Sequence, residues 1–493
     1  MKLPDTSPQH PPLRDWQQRC VAQALGQLSA THPHFLCQAT PGAGKMLMAA
    51  VLAHRLIQAD EIDFVLYLGP SRDVVSRAES TLTGVTGLAM NGALGARGGC
   101  FTYQSLKAHM PQFQQLGAQS RVLLIWDESH HAARQPGKGQ GANAWGEALL
   151  ILEKCVTYTL ALSGTPWRTD GNSLPLLSYW DEQNKADAGD AEPARQQRLM
   201  PDFVYSLREA VQEGVCRYPY ITLIDNRAIQ LTLTDARGKE PPQHKCFSSI
   251  PKLLRHPGVG YADLLRHDAP IEHVMNQGIN TLSALRQAHP DAGGLVVASD
   301  IEHAEDIAQW LTDNGQSVCL VTSQTPNAHA VLEAFRQSDT AWVVSVGMIS
   351  EGVDIPRLRV CCYLSRIRTE QHFRQVLGRI IRRLGLHDGD CTLFAINEPS
   401  LRRFAQRIAD DLPEDNAVVS LIPDDTDVST AYGNTTPPEP ADTTGSGTEG
   451  VAPGSSSTWN LSFHPPAASG QECWEHDVAF SQQFIERLTA LTL

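Results

Sequence analysis

The sequence predicts an α/β protein: two tandem parallel-sheet units, each flanked by helices, followed by a disordered acidic C-terminal tail. Three observations predict this. Short apolar runs alternate with helical patterns from Leu13 to about Arg208. A second set of such runs begins near Gly294. From about Pro423 the composition turns to Thr, Gly, Ser, Pro and Asp. Strands separated by helices imply parallel pairing, because parallel neighbours need a long crossover and a helix usually supplies it. The length of 493 residues fits two to four domains at about 100–200 residues each.

Residues 1–12 are polar and proline-rich and read as a flexible arm. The first unit, 13–208, takes its strands from His34–Cys37, Phe64–Leu68, Arg121–Trp126 and Tyr158–Leu162. Residues 209–290 read as a connecting region leading into the second unit, with a β-rich piece at Tyr218–Leu233 and a helical lead-in at Tyr261–Gln287. A polar, acidic insertion at Asp181–Arg198 precedes it. The second unit, 291–422, carries the runs LVVAS, SVCLVT, WVVSVG, VCCYLS and CTLFAI. After LVVAS, Ser299 and Glu302 fit a capping box, and Ile301, Ala304, Ile307, Ala308 and Leu311 recur at helical spacing. Residues 423–470 cannot bury enough surface to order themselves and read as a disordered linker. In 471–493, Val478, Phe480, Phe484, Ile485, Leu488 and Leu491 lie near helical spacing, which suits either a short docking helix or an idle tail.

Composition excludes several classes. Hydrophobic residues make up 42%, enough for ordinary cores, but no run of about 20 apolar residues exists to span a membrane. The N-terminal segment MKLPDTSPQHPPLRDW lacks the apolar core of a signal peptide. Eleven cysteines without CxxC spacing suggest reduced thiols in a cytoplasmic protein. The net charge of −14 is uneven: from Asp410 to Leu493 there are 14 acidic residues and one basic residue, so the tail carries −13 and the body −1. A nearly neutral body leaves room for a basic stripe or backbone amides that grip nucleic-acid phosphates.

Three segments carry the chemistry. In His34–Met46, HFLCQATPGAGKM, an apolar run leads through a glycine-rich loop into a helical pattern. In the loop opened by Thr40 and Pro41, the backbone amides of Gly42, Ala43, Gly44 and Lys45 suit a phosphate cradle, and the Lys45 side chain suits the β- and γ-phosphates. The same letters also describe a plain turn; the strand–loop–helix context favours the cradle. The strict pattern wants Gly at 39 and Ser or Thr at 46, whereas the chain has Ala39 and Met46. In RVLLIWDESHH, Arg121–His131, a buried strand ends in two carboxylates. Asp127 suits Mg²⁺ and Glu128 suits activation of a water, although a solvated loop has the same composition. In Thr369–Arg383, Phe373, Val376, Leu377 and Ile380 form an apolar face, leaving Gln375, Arg379 and Arg382 to project elsewhere. Alone, such a helix is usually a solvated face; beside the other two segments it suggests arginines that enter an ATP site from a second domain.

In this order the three segments resemble those of bacterial superfamily 2 helicases of the DEAD/DEAH-box (DExH) group. Further segments are similar to that family's motifs: LRDWQ (Leu13–Gln17) upstream of the loop, LGPSR (Leu68–Arg72), FTYQSL (Phe101–Leu106), LSGTPWR (Leu162–Arg168), LVVASDIEHA, VGMISEGVDIP (Val346–Pro356) and QVLGRIIR (Gln375–Arg382). The resemblance covers 13–383 and implies two RecA-like domains. It implies that Arg14 and Gln17 attend the adenine, that Lys45 and the loop residues through Met46 hold phosphates, and that Asp127 holds the metal. Glu128 would be the base, and His130 would couple the ATP site to Gln375. Gly352 and Asp354 would lie near γ-phosphate and ribose, and Arg379 and Arg382 would be the finger arginines. Ser163 and Thr165 would link hydrolysis to the nucleic-acid track. Pro70, Ser71, Arg72, Thr102, Tyr103, Ser323 and Gly347 would grip a strand's phosphates.

The expected activity is ATP hydrolysis with Mg²⁺, driving translocation on or unwinding of nucleic acid, with DNA favoured over RNA. The tail offers a route to a protein partner. Met46 motivates a second reading, a nucleotide-binding clamp with weak hydrolysis, because it lacks the hydroxyl that would ligate Mg²⁺.

Overall fold

In the computed structural model the described residues are 11–128, 148, 151–164, 179–182, 196–235, 241–347, 354–383, 385, 388–410 and 474–488. His130, Thr165, Gly352 and the linker 423–470 lie outside them.

The first unit is built on a six-stranded parallel sheet of order β3-β2-β4-β5-β1-β8. Its strands are β1 (His34–Ala39), β2 (Phe64–Gly69), β3 (Gly98–Thr102), β4 (Val122–Asp127), β5 (Tyr158–Ser163) and β8 (Phe203–Tyr205). α1 (Asp15–Gln27) precedes β1, and the crossovers carry α2 (Lys45–Gln58), α3 (Arg72–Thr86) and α4 (Leu106–Gln119). Side chains alternate across the sheet. Val65, Tyr67, Leu123 and Ile125 join one cluster, whereas Leu66, Leu68, Leu124 and Trp126 face another with Tyr103, Leu106 and Phe113. Both faces are therefore buried, which is why these strands read as near-continuous apolar runs. Trp126 is fully buried, and truncating it to Ala would cost about 3–5 kcal/mol. A short antiparallel pair, β6 (Tyr179–Glu182) and β7 (Gln196–Leu199), occupies the ends of the insertion.

α5 (Leu207–Gln212) ends the first unit, and the chain passes through Glu213–Arg217 into β9 (Tyr218–Asn226). The connecting region is not a separate piece. β9 pairs in parallel with β16 (Asp390–Ile396) inside a seven-stranded sheet of order β13-β14-β12-β15-β16-β9-β18. The other members are β12 (Gly293–Val297), β13 (Val318–Val321), β14 (Trp342–Ser345), β15 (Leu358–Tyr363) and β18 (Phe484–Leu488). The expected β-rich piece is divided. β10 (Ile229–Asp235) leaves this sheet and pairs with β11 (Gln243–Phe247) and β17 (Trp474–Phe480) in a small antiparallel sheet. Two short helices follow, α6 (Ile250–Leu253) and α7 (Tyr261–Leu264), then α8 (Asp268–Ala288), which packs on β15 and β16. α9 (Ile301–Asp313), α10 (Ala328–Gln337), α11 (Glu370–Ile380) and α12 (Pro399–Asp410) complete the unit.

Two local expectations change. The cap of α9 is Asp300, whose Oδ1 accepts from His303 N at 3.1 Å, and Ser299 Oγ instead donates to Asp300 Oδ2 at 3.0 Å. The Ser299 register lost because the aspartate one residue later supplies a charged acceptor. The C-terminal segment is two strands, not a helix. β17 completes seven antiparallel pairs with β10, from Ile229–Phe480 to Asp235–Trp474, and β18 pairs antiparallel with β9. Val478, Phe480 and Phe484 sit at even offsets from one another, a spacing strands use as readily as helices, and two open sheet edges decide between them.

Candidate nucleotide site in the interdomain cleft

The glycine-rich loop joins the carboxyl end of β1 to α2, where open α/β sheets bind ligands. Gly42 and Gly44 adopt φ of 81° and 93°, conformations that favour glycine, and Gly44 starts α2. The loop is held from outside. Arg14 Nη1 donates to Ala43 O at 2.7 Å, and Gln17 Nε2 donates to Gly44 O at 2.9 Å. Gln17 is only 2% exposed, and its Oε1 accepts from Arg14 N at 2.9 Å. Gln17 thus ties the loop to the start of α1, with one end of its amide on Gly44 and the other on the Arg14 backbone. Lys45 Nζ donates to Ala39 O at 3.1 Å, and Thr40 N donates to Tyr205 O at 3.0 Å. Met46 is half-buried: it packs against the core and also lines the cleft.

β4 delivers its two carboxylates to the same place. Asp127 Oδ2 accepts from Tyr67 Oη at 2.7 Å, and Oδ1 accepts from Glu128 N at 3.1 Å. Burial pushes the Asp127 carboxyl up to about 6; the neighbouring Glu128 adds to this, and Lys45 opposes it. A carboxylate whose charged form is disfavoured by its own burial, beside a second carboxylate, fits a hard divalent cation such as Mg²⁺. Glu128 has φ of 53°, a sparsely populated region for a residue with a Cβ, and such outliers cluster at functional sites. Ser163 ends β5, fully buried, beside Gly164, where an added Cβ would lie 3.1 Å from Pro41 Cδ.

From the second unit, α11 presents its apolar face inward through Phe373, Val376, Leu377 and Ile380, as the sequence predicts. Thr369 caps it, accepting from His372 N at 3.4 Å. Buried Glu370 ties it to Arg374 at 3.0 Å and to Arg407 on α12 at 2.5 Å. The opposite face brings Gln375 and Arg379 to the cleft with Lys45, Asp127 and Glu128. The approach is close: a Cβ on Gly378 would lie 2.6 Å from Pro41 Cβ, and one on Gly42 would lie 3.1 Å from Arg382 Cγ. Arg382, expected to be a finger arginine, forms an ion pair with Asp354, the acid expected near ribose. That pairing holds the Asp354 carboxyl below its usual range despite burial. The cleft encloses about 380 Å³.

The strand-contact candidates divide. Pro70, Ser71 and Arg72 follow β2, Thr102 ends β3, Ser323 follows β13, and Gly347 follows β14; all lie at carboxyl ends of parallel strands. Arg72, Ser323 and Gly347 are exposed. Ser71 Oγ caps α3, accepting from Val74 N at 3.4 Å. Tyr103 does not belong with them. It is 1% exposed in the core cluster under the sheet, and its hydroxyl donates to the Asp127 carbonyl. A large ring beginning a tight 3₁₀ turn (Tyr103–Ser105) is drawn into that core while its hydroxyl finds a buried acceptor. Sequence reasoning missed Tyr67, Arg77, Val215, Pro356 and Arg383. The last four line the cleft, and Tyr67 orients Asp127. Tyr67 looks like one more apolar strand residue, and nothing local marks it.

Comparison with known proteins gives matches over both units. Residues 10–168 match the family described as type III restriction enzyme, res subunit, and residues 277–383 match the helicase conserved C-terminal domain. An uncharacterized protein of Mycobacterium tuberculosis is 30% identical over 414 residues, 81% of this chain and 64% of that protein. One from Mycobacterium leprae is 29% identical over 411 residues, 80% of this chain and 64% of that protein. The chain thus spans about 64% of the length of these curated relatives. Among solved structures, a fragment described as an HsdR subunit of a type I restriction enzyme from Vibrio vulnificus superposes with TM-score 0.53 at 17% identity. That match covers 83% of this chain and 68% of the other and supports the fold.

Proposed function

From a chain that belongs to the superfamily 2 helicase family, we propose a nucleic-acid-dependent ATPase that translocates on, or unwinds, DNA, hydrolysing ATP in the cleft between its RecA-like domains. The single observation that carries the reading is the convergence of Lys45, Asp127 and Glu128 from one unit with Gln375, Arg379 and Arg382 from the other on one cleft.

In this reading the amides of Gly42–Lys45 and the Lys45 ammonium bind the β- and γ-phosphates. Asp127, oriented by Tyr67, would hold Mg²⁺, which would neutralise charge on the phosphate oxygens. Glu128 orients a water and takes its proton as the oxygen attacks the γ-phosphorus, and the bond from that phosphorus to the β–γ bridging oxygen breaks, releasing ADP and phosphate. Arg379 and Arg382 stabilise the charge that builds on the transferring group, and Arg382 exchanges Asp354 for phosphate as the cleft tightens. Phosphate contacts at Pro70, Ser71, Arg72, Thr102, Ser323 and Gly347 carry no base information, so the motor walks without strong sequence preference. DNA is favoured over RNA by family resemblance alone. The acidic tail is assigned to a protein partner.

A second reading, a clamp with weak hydrolysis, is favoured by one observation: Met46 offers the cleft a thioether and no hydroxyl.

The test is the ATPase rate without polynucleotide and with single- or double-stranded DNA or RNA, in the wild type and in Glu128→Gln. We expect stimulation by DNA and a fall of roughly 10²-fold or more in the variant, with ATP binding retained. A wild type that binds ATP but hydrolyses it no faster with any polynucleotide would favour the clamp. Near-normal turnover in Glu128→Gln would assign the base elsewhere.

A further inference from the structure

Arg217 lies where the chain crosses from the first unit to the second, and its side chain is only 1% exposed. A guanidinium has five N–H donors in a fixed plane, and here there are five acceptors. Nε and Nη2 donate to the two carboxylate oxygens of Asp388, each at 2.6 Å. The other three bonds go to main-chain carbonyls: Nη1 to Leu358 at 2.6 Å and Ile380 at 2.8 Å, and Nη2 to Pro356 at 2.8 Å. The Arg217 backbone N donates to Ile381 O at 2.7 Å.

These carbonyls belong to the two segments that carry cleft residues. Ile380 ends α11, one residue after Arg379 and two before Arg382; Pro356 lies two residues after Asp354. The neighbouring crossover residues make the same connection. Cys216 forms an isolated β-bridge with Arg382, and its thiol points to Pro41 O of the phosphate loop at 3.7 Å. Gly214, at φ of 65°, accepts from Arg383 Nη1 at 3.1 Å. A carboxylate partner alone would occupy two of the five donors. The remaining three pin two loops that must stay in register with each other and with the crossover on which the units pivot.

We propose that Arg217 is a positioning residue for phosphoryl transfer: it fastens the interdomain crossover to the end of the finger helix and to the Asp354 segment. Closing the units then brings Arg382, which the crossover also holds through the Cys216 bridge, to the phosphates in one fixed geometry. This rests on the reading of the cleft as an ATPase site. Lysine cannot replace it, because an ammonium has three donors and no planar fork, and so cannot span the carboxylate and both loops.

The test is Arg217→Lys in the full chain, with ATP kinetics at saturating single-stranded DNA, thermal melting, and the double variant Arg217→Lys/Arg382→Ala. We expect kcat to fall roughly 10- to 100-fold, as misplacement of reacting groups does, with KM for ATP within about two-fold. The double variant should be no slower than Arg382→Ala, because the arginine that Arg217 positions is already gone. Wild-type kcat in folded Arg217→Lys, or effects of the two substitutions that multiply, would overturn the proposal. If Arg217→Lys does not fold, Asp388→Asn loosens the same guanidinium while keeping its donors, together with Arg359, which pairs with Asp388 at 3.3 Å. It should show the same split and the same lack of further loss with Arg382→Ala, and wild-type kcat in that variant is equally fatal. Wild-type protein without DNA-stimulated hydrolysis would sink the functional reading and this inference together, whereas multiplying effects in an active enzyme sink the inference alone.

Discussion

At position 46 a thioether stands where an oxygen donor would serve Mg²⁺, and it is not idle: Met46 packs partly on the core while lining the cleft. The carboxylate proposed to hold the ion, Asp127, already accepts a hydrogen bond on each oxygen, from Tyr67 and from the Glu128 amide. These bonds fix its orientation but add no ligand. Met46→Thr therefore supplies the missing oxygen at the cost of some apolar contact. We expect ATP turnover to rise by roughly three-fold or more and the Mg²⁺ concentration for half-maximal rate to fall, with folding stability lowered by about 1 kcal/mol or less. Unchanged turnover and unchanged Mg²⁺ demand in a folded variant would show that water fills that ligand position at no cost. At this scale Lys45, Asp127, Glu128 and Arg379 were legible because each residue type does one chemical job at a recognisable spacing. Tyr67, Tyr103 and Arg217 were not, since a buried tyrosine or arginine reveals its partner only when distant segments meet.

α9 shows the same division within one element. Its helical spacing was plain, but its start depends on a local contest between Ser299 and Asp300 as cap, which charge settles for Asp300. Asp300 is in turn paired with Arg266 at 2.7 Å and Arg366 at 3.1 Å, partners from distant segments. Beneath this cap His303 is 2% exposed, with Nδ1 accepting from Ser299 N at 3.2 Å. Burial lowers its pKa from 6.5 to about 4; Arg266 adds to this, Asp300 opposes it, and Arg366 adds again. The folded state thus holds a neutral ring that the unfolded chain protonates first. Stability falls as pH drops below 6.5 and, from this group, stops falling below about 4. The loss across that window is roughly 3 kcal/mol. His303→Gln should melt with a shallower dependence on pH between 6.5 and 4 than the wild type. Parallel melting curves for the two proteins across the window would assign the acid sensitivity to other groups.

Across the whole molecule, one apolar cluster runs from Trp16 in the first unit through Ile396 in the second and reaches Val478 in the C-terminal strand. β17 and β18 close the edges of two sheets, and a stack of His273, Phe484, Phe480 and His267 fixes them to α8 and its N-terminal cap. Removing 474–493 should expose this surface and cost about 3 kcal/mol, lowering the melting temperature by roughly 6–12 °C. Removing 423–470 while keeping the strands should leave melting and ATPase rate near wild type. Equal melting of both deletions and the wild type would mean that the strands add nothing to the fold.

By itself the sequence determined the two parallel-sheet units and the order of the motifs along them. Runs buried on both faces and loops with fixed glycine and carboxylate spacing are local properties, set by strand period and phosphate chemistry. Only the tertiary structure decided where β9, β17 and β18 belong, that Gln17 braces the phosphate loop, that Asp354 pairs with Arg382, and that Arg217 gathers three segments. Each of these is a pairing between residues far apart in the chain. An open sheet edge or a buried guanidinium takes whichever partner the fold brings within reach, and no local pattern names that partner in advance.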